Sequence, residues 1–133
     1  MECLLMAYNP AAANTNTLNT FTGAQIGTVT ALSVASNLVA MNLALNNNFS
    51  LTLQATTGQT LSNPTNMVAG QSGQIVITQN ATPSTLAYAS YWVNAAAATA
   101  ATVSTTAGAV NLLSYYVIDA THIWYTLSKA GVA

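Results

Sequence analysis

The chain has 133 residues, 52% of them hydrophobic, and only 2% charged, namely Glu2, Asp119 and Lys129. It is long enough for one domain with a sizeable core, yet a typical domain carries about 25% charged residues. With one lysine and no arginine it lacks the cations that nucleic-acid backbones or anionic membrane surfaces require, so neither partner is expected.

Residues 1–25 are expected to form an extended N-terminal arm, and residues 26–133 a β domain. The stretch NPAAANTNTLNTFT, Asn9 to Thr22, is small and polar with little to pack. The opening MECLLMAYNP has no basic segment before its short apolar run, so no secretory signal is expected. Cys3 is the only cysteine, which rules out a disulfide within the chain. No Lys, Arg or His lies near it in sequence, and it reads as a small apolar residue.

Thr28 to Val34 (TVTALSV) is β-prone. Leu38 to Leu45 fits either strand or helix, because Ala, Leu and Met favour helix while Asn42 weakens it. The longest weakly polar run, Ala31 to Leu45, is interrupted by Ser33, Ser36, Asn37 and Asn42, short of the ~20 apolar residues of a spanning helix. Phe49 to Gln54 (FSLTLQ) alternates, with Phe49, Leu51 and Leu53 on one side. Ala55 to Gly73 reads as turns, through Gly58, Asn63-Pro64, Gly70 and Gly73.

Gln74 to Gln79 (QIVITQ) is a β-branched strand, Asn80 to Ser84 a turn, and Thr85 to Trp92 (TLAYASYW) a further strand. The alanine-rich stretch Asn94 to Gly108 has no large apolar stripe for a helix, so a loop with a short strand is expected. Val110 to Ile118 and His122 to Ser128 form a hairpin through Asp119-Ala120-Thr121-His122, where an Asp at the first turn position bonds back to the backbone. Seven or eight short strands at this spacing predict an all-β fold, an antiparallel β-sandwich or jelly-roll-like single domain.

That hairpin is apolar on both sides. Val110, Leu112, Tyr116 and Ile118 alternate with Leu113, Tyr115 and Val117. An opposing sheet covers one side, and the second is expected to meet either the N-terminal arm or, as the favoured alternative, another subunit, since a chain near zero net charge lacks the repulsion that keeps copies apart. The expected interface residues are Leu113, Tyr115 and Val117, with Trp124, Tyr91 and Trp92.

Catalytic groups are scarce, and no enzyme, cofactor or metal site is expected. Asp119 and His122 suit a turn cap better than a triad. One His and one Asp fall short of the three protein ligands of a catalytic zinc. Two carboxylates, one at position 2, make a poor glycosidase pair. The aromatic residues also admit a glycan platform, though strand aromatics more often serve a core or an interface.

The segments LSNPTNMVAGQSGQIVITQNATPSTL, Leu61 to Leu86, and VSTTAGAVNLLSYYVIDATHIWYTL, Val103 to Leu127, resemble a group of tailed-bacteriophage virion proteins. Members carry L-x-N-P-T-N, then G-Q-x-G-x-I-x-I-x-Q-D-A-T-G-S, then T-A-x-A-V-D-x-L-S-Y-Y-V-x-D-x-T-H-I. The likeness extends weakly upstream through Asn46 to Leu61 and so covers well over half of the chain. This chain departs at Asn80 and Pro83, where relatives commonly have Asp and Gly, and at Thr85, near a position often basic.

The resemblance implies a β-structured virion component without catalytic residues. The expectation drawn from it is a capsid decoration (cement) protein on the virion surface, made in the host cytoplasm. Its partners would be the major capsid protein and copies of itself in a homo-oligomer, of which a trimer is the common form. The alternative is a small tail or tail-fibre component, including a host-surface glycan-binding module.

Overall fold

Phe49, Leu51 and Leu53 alternate with Ser50, Thr52 and Gln54, and the first three side chains are at most 1% exposed. The same period holds in Ile75 and Ile77, both fully buried, with exposed Val76 between them. These alternating runs are the strands of a computed structural model that describes residues 26–55 and 58–132. The expected arm, residues 1–25, lies outside the described residues.

Among the described residues the fold is all-β. The strands are β1 (Thr30–Leu32), β2 (Val34–Ala35), β3 (Leu38–Val39), β4 (Asn48–Thr52) and β5 (Gln59–Leu61), then β6 (Ser72–Thr78), β7 (Leu86–Tyr88), β8 (Trp92–Asn94), β9 (Ala109–Asp119) and β10 (His122–Val132). They form a wide sheet in the order β1-β4-β6-β9-β10-β8 and a narrow sheet in the order β2-β3-β5-β7.

The antiparallel expectation is corrected. Both sheets are mixed: β1, β4 and β6 run parallel to one another, as do β3, β5 and β7, and β8 lies parallel to β10. The cause is the path of the chain. After β3 it crosses to the wide sheet for β4, back for β5, over again for β6 and back for β7, so each return to a sheet runs in the same direction as the last visit.

Antiparallel pairs arise where a tight turn reverses the chain within a sheet. Ser36 and Asn37, at φ 50° and 63°, make the β2–β3 hairpin, since a two-residue turn that matches strand twist needs positive φ at both positions. The β9–β10 hairpin closes at Ala120-Thr121, as expected, and β9 also lies antiparallel to β6.

Other boundaries moved. Leu38 to Leu45 is a strand only at Leu38–Val39. The stretch read as turns from Ala55 to Gly73 contains β5, and Thr85 to Trp92 holds β7 and only the first residue of β8, separated by a turn at Ala89–Trp92. No strand forms between Ala95 and Gly108.

One apolar cluster joins the sheets. Val39, Leu61 and Leu86 come from the narrow sheet, and Phe49, Leu51, Ile75, Ile77, Leu113, Val117 and Ile123 from the wide one. At ~25 cal/mol per Å2, such burial supplies the main favourable term for folding. Four buried polar side chains, Gln59, Gln79, Ser84 and Asn111, close one end. The Gln79 Nε2 donates to the carbonyls of Ser84 and Ser104, each at 2.7 Å, and its Oε1 accepts from the Ser84 N–H at 3.0 Å. Asn111 Oδ1 accepts from the Ser104 N–H at 2.8 Å, which ties the loop before β9 to the same network.

Candidate protein-binding face

The pleat of β9 decides which of its apolar sides meets water. Leu113 pairs with Ile75 in register, and Leu113, Tyr115 and Val117 all face the narrow sheet and are buried. Trp92, which pairs with Ile123 of β10, is buried with them. Four of the six expected interface residues are therefore core, and that assignment is corrected. Tyr91 is half-buried, and Trp124 alone of the six is well exposed, at 54%. Alternation revealed two sides of β9, and the side bearing Leu112, Tyr116 and Ile118 is the outer one.

The buried aromatics interlock. Tyr88 and Tyr125 stack at 4.5 Å between centroids, and Trp92 meets Tyr115 and Tyr125 edge-on at 6.3 and 6.1 Å. Two of their polar ends donate to the backbone: Trp92 Nε1 to the Ser62 carbonyl at 3.0 Å, and the Tyr115 hydroxyl to the Asn47 carbonyl at 2.8 Å. Burial pushes the Tyr115 hydroxyl up to about 12. Burial also raises Tyr88, with the neighbouring Tyr125 adding to it, and the Tyr88 hydroxyl has no hydrogen-bond partner among the described residues. These rings belong to the core, and the edges of Tyr115 and Tyr125 line the floor of a surface depression beside Tyr116 and Trp124.

The outer face of the wide sheet carries rows of side chains in register, among them the following three. Ser72, Tyr116, Trp124 and Val93 lie in register across β6, β9, β10 and β8. The next row inward holds Asn48, Gln74, Ser114 and Thr126. Beyond it run Ala31, Ser50, Val76, Leu112 and Ser128. The first row carries the two exposed rings, the second is polar, and the third mixes Val76 and Leu112 with Ser50 and Ser128; none of these residues is ionisable at neutral pH. Tyr116 is 49% exposed and pairs directly with Trp124, leaving two large rings side by side in water.

At the tip of the β9–β10 hairpin, Asp119 Oδ1 accepts from the Thr121 N–H at 2.7 Å, and Asp119 Oδ2 lies 2.8 Å from His122 Nδ1. The Thr121 N–H, and then His122, hold the Asp119 carboxyl down at about 2. The Thr121 hydroxyl sits 3.1 Å from His122 Nδ1, the same ring nitrogen that faces Asp119. A triad needs nucleophile and carboxylate on opposite nitrogens, so this group is a turn cap. Lys129 donates to the Thr102 hydroxyl at 3.2 Å beside a depression of about 450 Å3 lined by Thr85, Ser104 and Thr105 with Leu86 and Val103. Among the described residues, no three His, Cys, Asp or Glu side chains come together, and no helix is long and apolar enough to cross a membrane.

Asn111 shares the parity of Leu113, Tyr115 and Val117, so a polar residue stands on the buried side of β9 and alternation alone does not tell that side from the outer one. The structure buries Asn111 by giving its amide backbone partners, Ser104 and Ile77. Compared with known protein families, with curated proteins and with solved structures, the chain matches none.

Proposed function

We propose that this chain is a structural protein of a tailed-bacteriophage virion, a capsid decoration protein that holds neighbouring shell subunits together. We read its two mixed sheets on one core as a β-sandwich, distinct from a jelly roll, whose strands are antiparallel. The observation that carries the reading is the uncharged outer face of the wide sheet, with Tyr116 and Trp124 exposed on a chain that has three ionised side chains in all. Such a face suits a protein partner that covers it. The ordered motifs from Leu61 to Leu127 that resemble phage virion proteins supply the setting.

In this reading the partners are the major capsid protein and further copies of the chain, and the site of action is the virion surface. The work is mechanical: apolar area buried at ~25 cal/mol per Å2 over several contacts resists the outward pressure of packaged DNA. No catalytic step is part of it. Densitometry of purified virions tests the reading. A decoration protein is present in numbers comparable with the shell protein, and a scarce band overturns it.

The exposed Tyr116–Trp124 pair favours one second reading, a tail-fibre module that stacks these rings on host glycans. A glycan array with the native chain and with Trp124→Ala separates the two: retention of a defined sugar by the native chain alone supports the module.

A further inference from the structure

Lys129 is the only Lys or Arg of the chain, and β10 turns it inward. It stands opposite Asn111 in the β9–β10 ladder, and residues directly opposite in such a ladder share a face. Asn111 is fully buried on the side of Leu113 and Tyr115, so Lys129 projects from the inner side of β10, beyond Tyr125 and Leu127. Its ammonium emerges at the end of the core that Gln79 and Asn111 close, and donates to the Thr102 hydroxyl. Among the described residues no carboxylate answers that charge. Asp119 sits at the other end of the ladder, about 24 Å away along β10 at ~3.4 Å per residue, beyond the ~8 Å screening length at physiological salt.

The depression beside the ammonium has hydroxyl-bearing walls, Thr85 on one side and Thr102, Ser104 and Thr105 on the other. Leu86 and Val103, both nearly buried, supply its apolar lining. Its volume of about 450 Å3 falls within the roughly 300–1,000 Å3 of small-molecule sites. One buried amide ties the two walls together, because Gln79 Nε2 donates to the carbonyls of both Ser84 and Ser104. The Thr85 carbonyl accepts from the Gln59 N–H at 2.9 Å, and the Ser104 N–H donates to Asn111. Walls held in this way need little ordering when a ligand enters.

From this geometry we infer that the depression binds a carboxylated sugar, a hexuronic acid. Three chemistries match. Lys129 meets the carboxylate in a charge-assisted hydrogen bond. The Thr and Ser hydroxyls, each donor and acceptor, meet the hydroxyls of the ring. Leu86 and Val103 meet its apolar C–H face. One cation balances one negative charge, which suits a carboxylate and leaves a phosphate, at about −1.5 to −2, under-compensated. The site lies on the inner side of β10, away from the outward-facing Tyr116 and Trp124, and the inference does not depend on the virion setting.

An amide NMR titration of the purified full chain is the test, with sodium glucuronate, sodium galacturonate, glucose, galactose and sodium acetate at constant ionic strength. At least one uronate is expected to bind saturably in the millimolar range and to move the signals of Thr85, Leu86 and Val103 to Thr105. The neutral sugars lack the carboxylate and acetate lacks the ring, so each is expected to bind about tenfold or more weakly. Lys129→Met keeps the aliphatic stem and removes the charge; it is expected to weaken the uronate by about tenfold or more with unchanged melting. Exposed Thr105→Val, close in shape, is expected to weaken it about threefold or more without altering the fold.

Failure of both uronates to move these signals overturns the inference. So does acetate binding as tightly as the uronates, which marks a site for any anion, or a neutral sugar doing so. Undiminished uronate binding by Lys129→Met overturns it as well.

Discussion

The carbonyl of Asn47 occupies the space that a Cβ at position 73 would need. Gly73 lets that carbonyl approach β6, where it accepts from the Gln74 N–H at 3.1 Å and from the Tyr115 hydroxyl at 2.8 Å. Backbone fills the space, so no side-chain rotation relieves the clash. Gly73→Ala is therefore expected to destabilise the fold by about 2–4 kcal/mol, in the class of strained-backbone and broken-network substitutions. Urea unfolding measures it, and a loss under about 0.5 kcal/mol would show that the turn at Asn47 moves freely.

Gln79 is a buried strand-end amide that makes three hydrogen bonds to Ser84 and Ser104. Leucine at this position matches its bulk but removes all three at once. At roughly 1 kcal/mol per bond, plus the cost of burying polar groups that lose a partner, Gln79→Leu is expected to cost about 3 kcal/mol or more. Thermal unfolding of the variant, compared with exposed Gln74→Leu as control, checks it. Equal melting temperatures would remove the network from any account of stability.

Asp119 carries the pH prediction. Its pKa is lowered in the fold, first by the Thr121 N–H and then by His122. A lowered carboxylate contributes stability that is complete above its ordinary value near 3.8 and is lost as pH falls through the folded value of about 2. Carboxyl NMR is expected to show a midpoint near 2. Since the backbone N–H is the larger cause, His122→Ala should raise the midpoint only part of the way. A full return to the ordinary value would make the imidazole the dominant partner.

Much of this fold is legible as alternation. Phe49-Leu51-Leu53, Ile75-Ile77 and the hairpin around Asp119 are local patterns, and local patterns survive folding. Parallel pairing is not local: Phe49 meets Ile75 only because the chain passes through β5 between them, and no turn motif announces that path. β5 was hidden for a related reason. Its first residue, Gln59, is fully buried and satisfied by Gln54 and Ser84, so a polar residue stands where the pattern asks for an apolar one.

The candidate face shows the same limit. A period of two separates the sides of β9 without saying which lies inward, and the decision came from register with Ile75 and from the partners found for Asn111.

The two tryptophans turn that correction into a measurement. Trp92 is 7% exposed, wedged against Tyr115 and Tyr125, whereas Trp124 stands on the outer face. Truncating a buried tryptophan leaves a cavity and loses its packing, so Trp92→Ala is expected to cost about 3–5 kcal/mol. Trp124→Ala removes a ring that the chain does not enclose and should cost the folded subunit less than about 1 kcal/mol. Fluorescence reports the same division directly, because these are the only tryptophans in the chain. With Trp124 replaced by Phe, the remaining emission should be blue-shifted and resist acrylamide. With Trp92 replaced by Phe, it should be red-shifted and readily quenched. Reversed emission in the two variants would mean that β10 presents its other side to the core.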